Sequence, residues 1–220
     1  METIPERYWQ NWDKGQIAES VDQYWCNERS EIDWRKLLVA DIKVEVGKKT
    51  RVLEVGCGSG LIYSEMLKRG VVTPKSYIGG DVSDRMLDIA RHRFPKATFT
   101  HLDILNLPYP DKSQPNVICI HVLQHLPHYA QAVKELIRVT ANELYIVTWF
   151  TQKPDDNIVF GETQPAYGAS FYDNSYSLPK FVASLYADRE VKRLCIKQLT
   201  DYPGRCSYSI SLTLGDKAIR

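Results

Sequence analysis

The fold of this chain is decided by the stretch Arg51-Val-Leu-Glu54-Val-Gly56-Cys-Gly58-Ser-Gly60. A short apolar run ends here in a glycine-rich turn, and a helical pattern of apolar residues begins directly after it at Leu61. Glycines in such a turn allow positive φ and a close approach of a ligand to the backbone, while the start of the next helix offers unpaired N–H groups. The stretch therefore predicts a buried strand, a ligand-binding loop and a helix, in that order.

Outward from this stretch, short β-branched runs alternate with amphipathic helical patterns as far as residue 150. Such alternation is typical of a parallel sheet with crossover helices. We expect strands at 51–55, 76–81, 98–102, 117–121 and 144–150. A first helix is expected at about 61–69. A second is expected to begin after an N-cap at Ser83 and to end near residue 95, and a third to have Pro127 in its first turn and to end before the fifth strand.

The end of the chain has a different pattern. Between residues 206 and 214, apolar residues alternate with serine and threonine, and the turn residues Tyr202-Pro203-Gly204 would pair this strand with residues 191–199. The predicted fold class is therefore α/β: a doubly wound, mostly parallel seven-stranded sheet with an antiparallel C-terminal hairpin and helices on both faces.

Composition limits the possible partners and compartments. With 28 Lys and Arg against 27 Asp and Glu, the formal net charge of the 220 residues is +1, so no basic field favours nucleic acid or an anionic membrane surface. We see neither a secretory signal nor an apolar run approaching the roughly 20 residues that span a bilayer. The five cysteines form no CxxC pair, which disfavours disulfides and a zinc site. A cytoplasmic protein without a metal is expected.

The glycine loop by itself fits several nucleotide ligands. A dinucleotide fingerprint needs G-x-G-x-x-G, but the sixth position counted from Gly56 is Leu61, and the third glycine comes one residue early at Gly60. The Walker pattern fails as well, because no Gly-Lys-Ser/Thr follows the loop. A dinucleotide or a nucleoside triphosphate is therefore disfavoured.

The pattern Glu54-x-Gly56-x-Gly58-x-Gly60 resembles the first motif of the class I S-adenosylmethionine-dependent methyltransferases of the small-molecule type. Asp81 closes the second predicted strand, where the resemblance implies a carboxylate that accepts hydrogen bonds from both ribose hydroxyls. Asp103 and Ile104 follow the third strand, where the resemblance implies a pair that holds the adenine. The implied cofactor is S-adenosylmethionine, with S-adenosylhomocysteine as the product.

The likeness extends along residues 45–150. The segment after the fourth strand, 121–126, is similar to the region beneath the methionine part of the cofactor, and the resemblance places Glu54 at the methionine ammonium. We interpret Cys57 as a small side chain in the loop and not as a nucleophile. The cofactor site that the resemblance implies is completed by Cys57, Val82, Met86, His121 and Val122.

Histidines cluster where the fourth strand meets its helix, at the sheet edge where ligands of open α/β folds bind. We predict catalytic roles for His125, as the base or acceptor-orienting group, and for His121, which also lines the cofactor pocket. His128 is interpreted as a surface or capping residue. If the acceptor is an amine or a thiolate, no base is needed.

The acceptor pocket is expected between the N-terminal segment, which holds four of the five tryptophans, and residues 160–178. Tyr8 and Trp12 would form a lid, and Trp149 and Tyr172 the opposite wall. The alternative is that these aromatic residues simply pack over a sheet edge. Arg29 or Arg35 is a candidate for holding the cofactor's carboxylate.

Together these features predict one domain, with an aromatic helical cap at 1–50, a cofactor-binding core at 51–150, and an acceptor-side segment with the terminal hairpin at 151–220. The predicted function is methyl transfer to an oxygen or nitrogen of a small molecule by a monomer or homodimer. Methylation of RNA or protein, and a non-catalytic cofactor-binding module, remain as alternatives.

Overall fold

The computed structural model describes residues 10–14, 16–161, 171–186, 190–202 and 205–214. The strands are β1 (Val52–Val55), β2 (Tyr77–Asp81), β3 (Thr98–His101), β4 (Gln114–Ile120), β5 (Thr140–Thr151), β6 (Phe160–Gly161), β7 (Phe171–Tyr172), β8 (Tyr176–Ser177), β9 (Arg193–Tyr202) and β10 (Arg205–Thr213). The helices are α1 (Ile17–Asn27), α2 (Arg29–Val46), α3 (Leu61–Lys68), α4 (Asp84–Arg93), α5 (Ala130–Val139) and α6 (Leu178–Tyr186), with 3₁₀ turns at Gln10–Asp13 and Leu123–His125. Among the described helices, none is long and apolar enough to cross a bilayer.

The main sheet has the strand order β3-β2-β1-β4-β5-β10-β9. The first five strands, β1 to β5, pair in parallel with their neighbours in this order, whereas β10 runs antiparallel to both β5 and β9. The predicted α/β sheet with an antiparallel C-terminal hairpin is thus confirmed. At the end of β1, Val55 pairs with Gly80 on one side and with Cys119 on the other, so the carboxyl ends of three strands share one edge.

An eighth, short strand joins this sheet. Strand β5 is longer than its apolar run predicts, and its last residues, Phe150 and Thr151, pair in parallel with Tyr176 and Ser177 of β8. Strand β4 pairs with β5 no further than Val147, so β8 continues the row of partners along the same strand. The predicted seven-stranded sheet therefore gains an eighth strand at the edge where the ends of β1, β2 and β4 meet.

Helices cover both faces of the sheet, as predicted. On one face, Leu53 and Val55 of β1 pack in a cluster with the apolar residues of α5 and α6. On the other face, Val52 packs with α2, α3 and α4. Burying each large apolar side chain stabilises the fold by about 1.5–3 kcal/mol, so both layers hold the sheet rigidly beneath its carboxyl edge.

Of two predictions at the starts of helices, one is confirmed and one is wrong. Ser83 is confirmed as an N-cap, because its hydroxyl accepts from the Met86 amide at 3.2 Å. Helix α5 begins at Ala130, so the prediction that Pro127 lies in its first turn is wrong. The hydroxyl of the buried Tyr176 donates to the carbonyls of Leu123 and Leu126, each at 2.7 Å, and so stabilises a separate 3₁₀ turn before the helix.

Candidate functional site

A cleft of about 340 Å³ opens at the carboxyl edge of the sheet, where ligands of open α/β folds bind. The ends of β1, β2, β4 and β5 form its floor, and the N-terminal helices form one wall. Its apolar and glycine lining includes Val55, Gly56, Gly58, Leu61, Ile62, Val82, Met86, Leu102, Ile104, Ile120, Val122 and Leu126. Its polar and aromatic lining includes Trp12, Trp25, Ser30, Glu31, Trp34, Arg35, Glu54, Cys57, Ser59, Asp81, His121, Gln124, His125, Trp149, Asp173 and Thr200.

The glycine loop packs tightly against β2 and against the segment that follows β4. The amides of Gly56 and Cys57 both donate to the Gly80 carbonyl, at 2.7 and 3.0 Å. Gly56 has a φ of +80°, and a Cβ built there would lie 2.0 Å from Cγ2 of Val122. Burial raises the pKa of the Cys57 thiol well above its usual range, which supports the interpretation of that residue as a small packing side chain.

Asp81 lies at the end of β2 with its carboxylate held in one orientation. One oxygen accepts from the Gly58 amide at 2.8 Å, and the other accepts from the Ser83 amide at 2.9 Å. Burial raises the pKa of this carboxyl, and the two amides oppose that change. A carboxylate has about four acceptor sites, so the held Asp81 retains the capacity to accept hydroxyl donors from a ligand in the cleft.

Glu54 is a buried carboxyl that lines the cleft. Glu54 is only 1% exposed, and the Tyr77 hydroxyl donates to its carboxyl group at 2.6 Å. Burial, opposed by that hydrogen bond, raises the pKa of Glu54 to about 8. A carboxyl buried in this way is best compensated by a cation, so Glu54 suits an ammonium group of a ligand.

The raised pKa of Glu54 predicts a specific pH dependence of stability. The folded protein binds the Glu54 proton more tightly than the unfolded chain, whose pKa is near 4.5, so folding free energy is lost as pH rises from about 4.5 to about 8. Glu54→Gln keeps an acceptor for Tyr77 and removes the titrating group. Urea unfolding at about pH 5 and about pH 9 should therefore show a smaller loss of stability in the variant than in the wild type.

The control for this experiment is Glu19→Gln, at an exposed position of α1. That variant should keep the wild-type difference between the two pH values. Identical pH dependence of Glu54→Gln and the wild type would contradict a raised pKa at Glu54.

His121 follows β4 with a φ of +52° and lies between two indole rings. Its ring centroid is 5.0 Å from that of Trp34 and 4.9 Å from that of Trp149. The Gln124 amide lies 3.0 Å from Nδ1 of His121, and Thr148 donates to the oxygen of the same amide at 2.9 Å. That oxygen is therefore the acceptor and the amide nitrogen the donor, so neutral His121 accepts at Nδ1 and carries its proton on Nε2.

His125 has the opposite tautomer. Its Nδ1 lies 2.6 Å from the backbone carbonyl oxygen of Tyr172, and a carbonyl oxygen can only accept, so Nδ1 carries the proton. In the neutral ring the lone pair then lies on Nε2. The ring of Trp12 meets His125 edge-on, with centroids 5.2 Å apart. A ring oriented by a backbone carbonyl and lining a cleft has the arrangement that a general base requires.

The N-terminal segment is fastened over the cleft by charged hydrogen bonds. The Ser83 hydroxyl donates to Asp13 at 2.6 Å. Arg93 donates to both oxygens of Asp22, at 3.0 and 2.7 Å. Such bidentate pairs hold geometry well, so the helices that carry Trp12, Trp25 and Trp34 form a stable wall.

Arg35 lies in the same wall. Its guanidinium donates to the carbonyl of Trp25 at 2.8 Å and lines the cleft. Arg29, the other candidate, is almost fully exposed and pairs with Asp33, outside the lining. Of the two candidates for a ligand carboxylate, the structure therefore brings Arg35 to the cleft.

Most of the predicted site residues meet in this cleft. Gly60 instead caps α3 with a φ of +81°, and a Cβ there would approach Phe94 at 3.1 Å. Asp103 accepts from the Leu105 amide at 2.8 Å in a turn outside the described lining. Tyr172 contributes its carbonyl to His125 and not a ring to the lining. Tyr8 lies outside the described residues.

Several lining residues escape sequence reasoning. Gln124 lies within the histidine-rich segment, but its amide gains meaning only from Thr148 in β5. Asp173 and Thr200 come from late segments with no recognisable motif. Trp25 and Trp34 could have been predicted, because four of the five tryptophans are concentrated in the N-terminal segment. Within the described part of the chain, no group of His, Cys, Asp and Glu could hold a metal ion.

The chain is similar to known proteins in both sequence and fold. Residues 53–148 match the family model described as "Methyltransferase domain". The demethylmenaquinone methyltransferase of Staphylococcus haemolyticus is 32% identical over 124 residues, which are 55% of this chain and 51% of that protein. The chain thus spans about half the length of that curated relative.

Solved structures share the fold at low identity. Magnesium protoporphyrin IX methyltransferase from Synechocystis PCC 6803, solved with bound S-adenosylmethionine, has a TM-score of 0.67 and 14% identity, and the match covers 93% of each chain. The cyclase SpnF has a TM-score of 0.64 and 15% identity, with 82% of this chain and 80% of that chain covered. A methyltransferase and a cyclase thus share one architecture, so activity has to be argued from the site.

Proposed function

We propose that the protein transfers a methyl group from S-adenosylmethionine to an oxygen or nitrogen atom of a small-molecule acceptor, because residues 53–148 match the family model of a methyltransferase domain. The observation that carries the proposal is the juxtaposition of Glu54, Gly56, Asp81 and His125 around one cleft.

The residues of the cleft fit this cofactor chemically. The buried carboxyl of Glu54 suits the ammonium of the methionine part, and Arg35 suits the carboxylate. Asp81, held by two amides, suits the ribose hydroxyls, since a carboxylate forms strong charge-assisted bonds with such donors. At Gly56 an added Cβ would collide with Val122, so glycine allows the loop backbone, which lines the cleft, to lie this close to the segment after β4.

The bound cofactor supplies an activated methyl group on a sulfonium sulfur. The protein has to align the acceptor, exclude water and accept a proton where the acceptor is a hydroxyl. In our proposal, His125 accepts that proton at Nε2, because Nδ1 donates to the Tyr172 carbonyl. His121 acts as a donor through Nε2, since Gln124 occupies its Nδ1 lone pair.

Several features support a small acceptor over RNA or protein. The cleft is walled by Trp12 and Trp25 on the N-terminal side, which limits the size of a group that enters. The formal net charge of +1 offers little attraction for a polyanion.

The first test is the affinity of S-adenosylhomocysteine, measured by titration calorimetry. We expect Asp81→Ala to weaken binding by about tenfold or more, or roughly 1.4 kcal/mol, because the ribose hydroxyls lose a charged acceptor. Asp84→Ala is the matched control, since Asp84 lies three residues on, is exposed and pairs with His101 outside the lining. Equal affinities of both variants and the wild type would remove Asp81 from the proposed site.

A mass-spectrometric screen tests turnover. The wild type is incubated with S-adenosylmethionine and a panel of phenols, alcohols, amines and RNA oligonucleotides, and products are searched for the mass of one added methyl. Methylation of a small hydroxyl or amine supports the proposal. Methylation of RNA alone, or cofactor binding without any methylated product, contradicts it and favours a polymer substrate or a binding module.

A further inference from the structure

The charge of the cleft limits what the acceptor can be. Among the described residues, the lining holds the carboxyl groups of Glu31, Glu54, Asp81 and Asp173, and one guanidinium, that of Arg35. Arg35 already donates to a backbone carbonyl, and its charge faces Glu31. Glu54, Asp81 and Arg35 are assigned to the cofactor in our proposal, so an anionic acceptor would meet the carboxyl groups of Glu31 and Asp173 and no further Lys or Arg in the described lining. This part of the lining favours an acceptor without negative charge.

Several planar side chains of the lining, those of Trp12, Trp34, His121, His125 and Trp149, form what we call the aromatic wall of the cleft. The rings of Trp34, His121 and Trp149 follow one another with centroids 5.0 and 4.9 Å apart, and Trp12 stands against His125. Aromatic side chains bind flat apolar ligands through large contact areas and offset or edge-on ring packing. The cleft therefore suits an acceptor with an aromatic body.

Two buried hydroxyls lie at the end of this aromatic wall. Ser207 of β10 is the cross-strand partner of Trp149 on one side and of Thr200 on the other, so the three side chains lie in one row on one face of the sheet. Thr200 and Trp149 both line the cleft. Within the described part of the chain, the hydroxyls of Thr200 and Ser207 are buried without a hydrogen-bond partner.

Such hydroxyls are costly unless something binds them. A buried polar group without a partner loses its hydration, and most native proteins avoid this. Ser207 is fully buried, at 0% exposure. The cost at Thr200 is offset if a ligand that enters beside Trp149 supplies the missing partner to its hydroxyl. Ser207 does not line the cleft, and its hydroxyl is beyond hydrogen-bond reach of Thr200, since both hydroxyls are without a partner.

We propose that Thr200 forms a specificity subsite for an uncharged hydrogen-bonding substituent of an aromatic acceptor, whose ring packs against Trp149. This inference rests on the proposed methyl transfer, because it names the class of acceptor for the same cleft. The subsite selects neutral hydroxyl, carbonyl or amide substituents, since the threonine hydroxyl can both donate and accept. It rejects the same ring carrying a carboxylate.

The test uses phenol, toluene and benzoate as matched probes. Their affinities are measured by ligand-observed NMR titration at neutral pH, with and without saturating S-adenosylhomocysteine. For the wild type we expect phenol to bind about tenfold more tightly than benzoate. Thr200→Val keeps the shape of the side chain and should reduce the affinity for phenol by about fivefold to tenfold, with toluene unchanged.

Ser207→Ala is the matched control, since it removes a neighbouring unpartnered hydroxyl that does not line the cleft, and it should leave the affinity for phenol unchanged. Both variants should unfold at the same or a higher temperature than the wild type, because each removes an unpartnered buried hydroxyl. Ser211→Ala, opposite Tyr145 on the same face of β10 and four residues further along the strand than Ser207, is a second control and should bind all three probes as the wild type does.

Each outcome decides between the inferences. Unchanged affinity for phenol in Thr200→Val, an equal loss of affinity in Ser207→Ala, or a preference of the wild type for benzoate overturns the subsite. A thermally destabilised Thr200→Val also overturns it, since that result would reveal a structural partner for the hydroxyl. Failure of S-adenosylhomocysteine to bind the wild type overturns the proposed methyl transfer instead, and the probe titrations without it still test the subsite.

Discussion

Gly56→Ala is expected to weaken S-adenosylmethionine binding by about a hundredfold or more, or roughly 2.8 kcal/mol, in titration calorimetry. At a φ of +80°, an added Cβ costs roughly 1–2 kcal/mol through backbone strain. The same atom would lie 2.0 Å from Cγ2 of Val122, so the loop or the end of β4 has to move. Either movement displaces the backbone that the cofactor approaches.

The chain offers a closely matched control for this substitution. Gly47 has a φ of +87°, but a Cβ there meets nothing within 4 Å. Gly47→Ala should therefore lower stability through strain alone and leave cofactor affinity intact. Adding Val122→Ala to Gly56→Ala removes the closest methyl group and should restore part of the lost affinity. Equal affinities of Gly56→Ala and Gly47→Ala would mean that contact with Val122 does not matter.

His125→Gln is expected to reduce turnover of a hydroxyl acceptor by about a hundredfold to ten-thousandfold, the usual contribution of a general base. Glutamine can still donate towards the Tyr172 carbonyl, but it has no lone pair that takes up a proton. The affinity for S-adenosylhomocysteine should stay unchanged. In the pH–rate profile, the rising limb that reports a deprotonated base should disappear.

Two neighbouring histidines serve as comparisons for His125. His128→Gln, at an exposed position outside the lining, should turn over as the wild type does. His121→Gln should keep the rising limb of the pH–rate profile, because the Nδ1 lone pair of His121 already accepts from Gln124. Loss of the rising limb in His121→Gln and its retention in His125→Gln would reverse the two roles.

Much of the fold could be predicted because its signals are local. Alternating apolar runs and helical patterns placed β1 to β5 within a few residues, since side-chain periodicity follows directly from strand and helix geometry. The β9–β10 pairing was predictable from the alternating serines and the turn before them. Strand β8 was not, because two residues carry no period, and their pairing depends on the end of β5 lying open beside them.

The residues of the candidate site likewise fall into those that local sequence signals reveal and those that depend on tertiary contacts. Gly56 and Asp81 were recognisable because a tight turn and a strand end impose strict local requirements on residue type. Asp103 was placed in the site on the resemblance; in the structure one of its carboxylate oxygens accepts from the Leu105 amide in a turn outside the described lining, and its role at the adenine stays a prediction. The orientation of His125 was beyond sequence reasoning, since any residue at position 172 offers the same carbonyl.

The sequence by itself determined the order of the elements, the open glycine loop and the acidic residue at the end of β2. These depend on backbone conformation and on contacts between near neighbours in the chain. The tertiary structure decided the tautomers of His121 and His125, and it brought Thr200 and Ser207 beside Trp149. Those features arise from side chains that are distant in sequence, and packing of whole elements, not local periodicity, sets which of them meet.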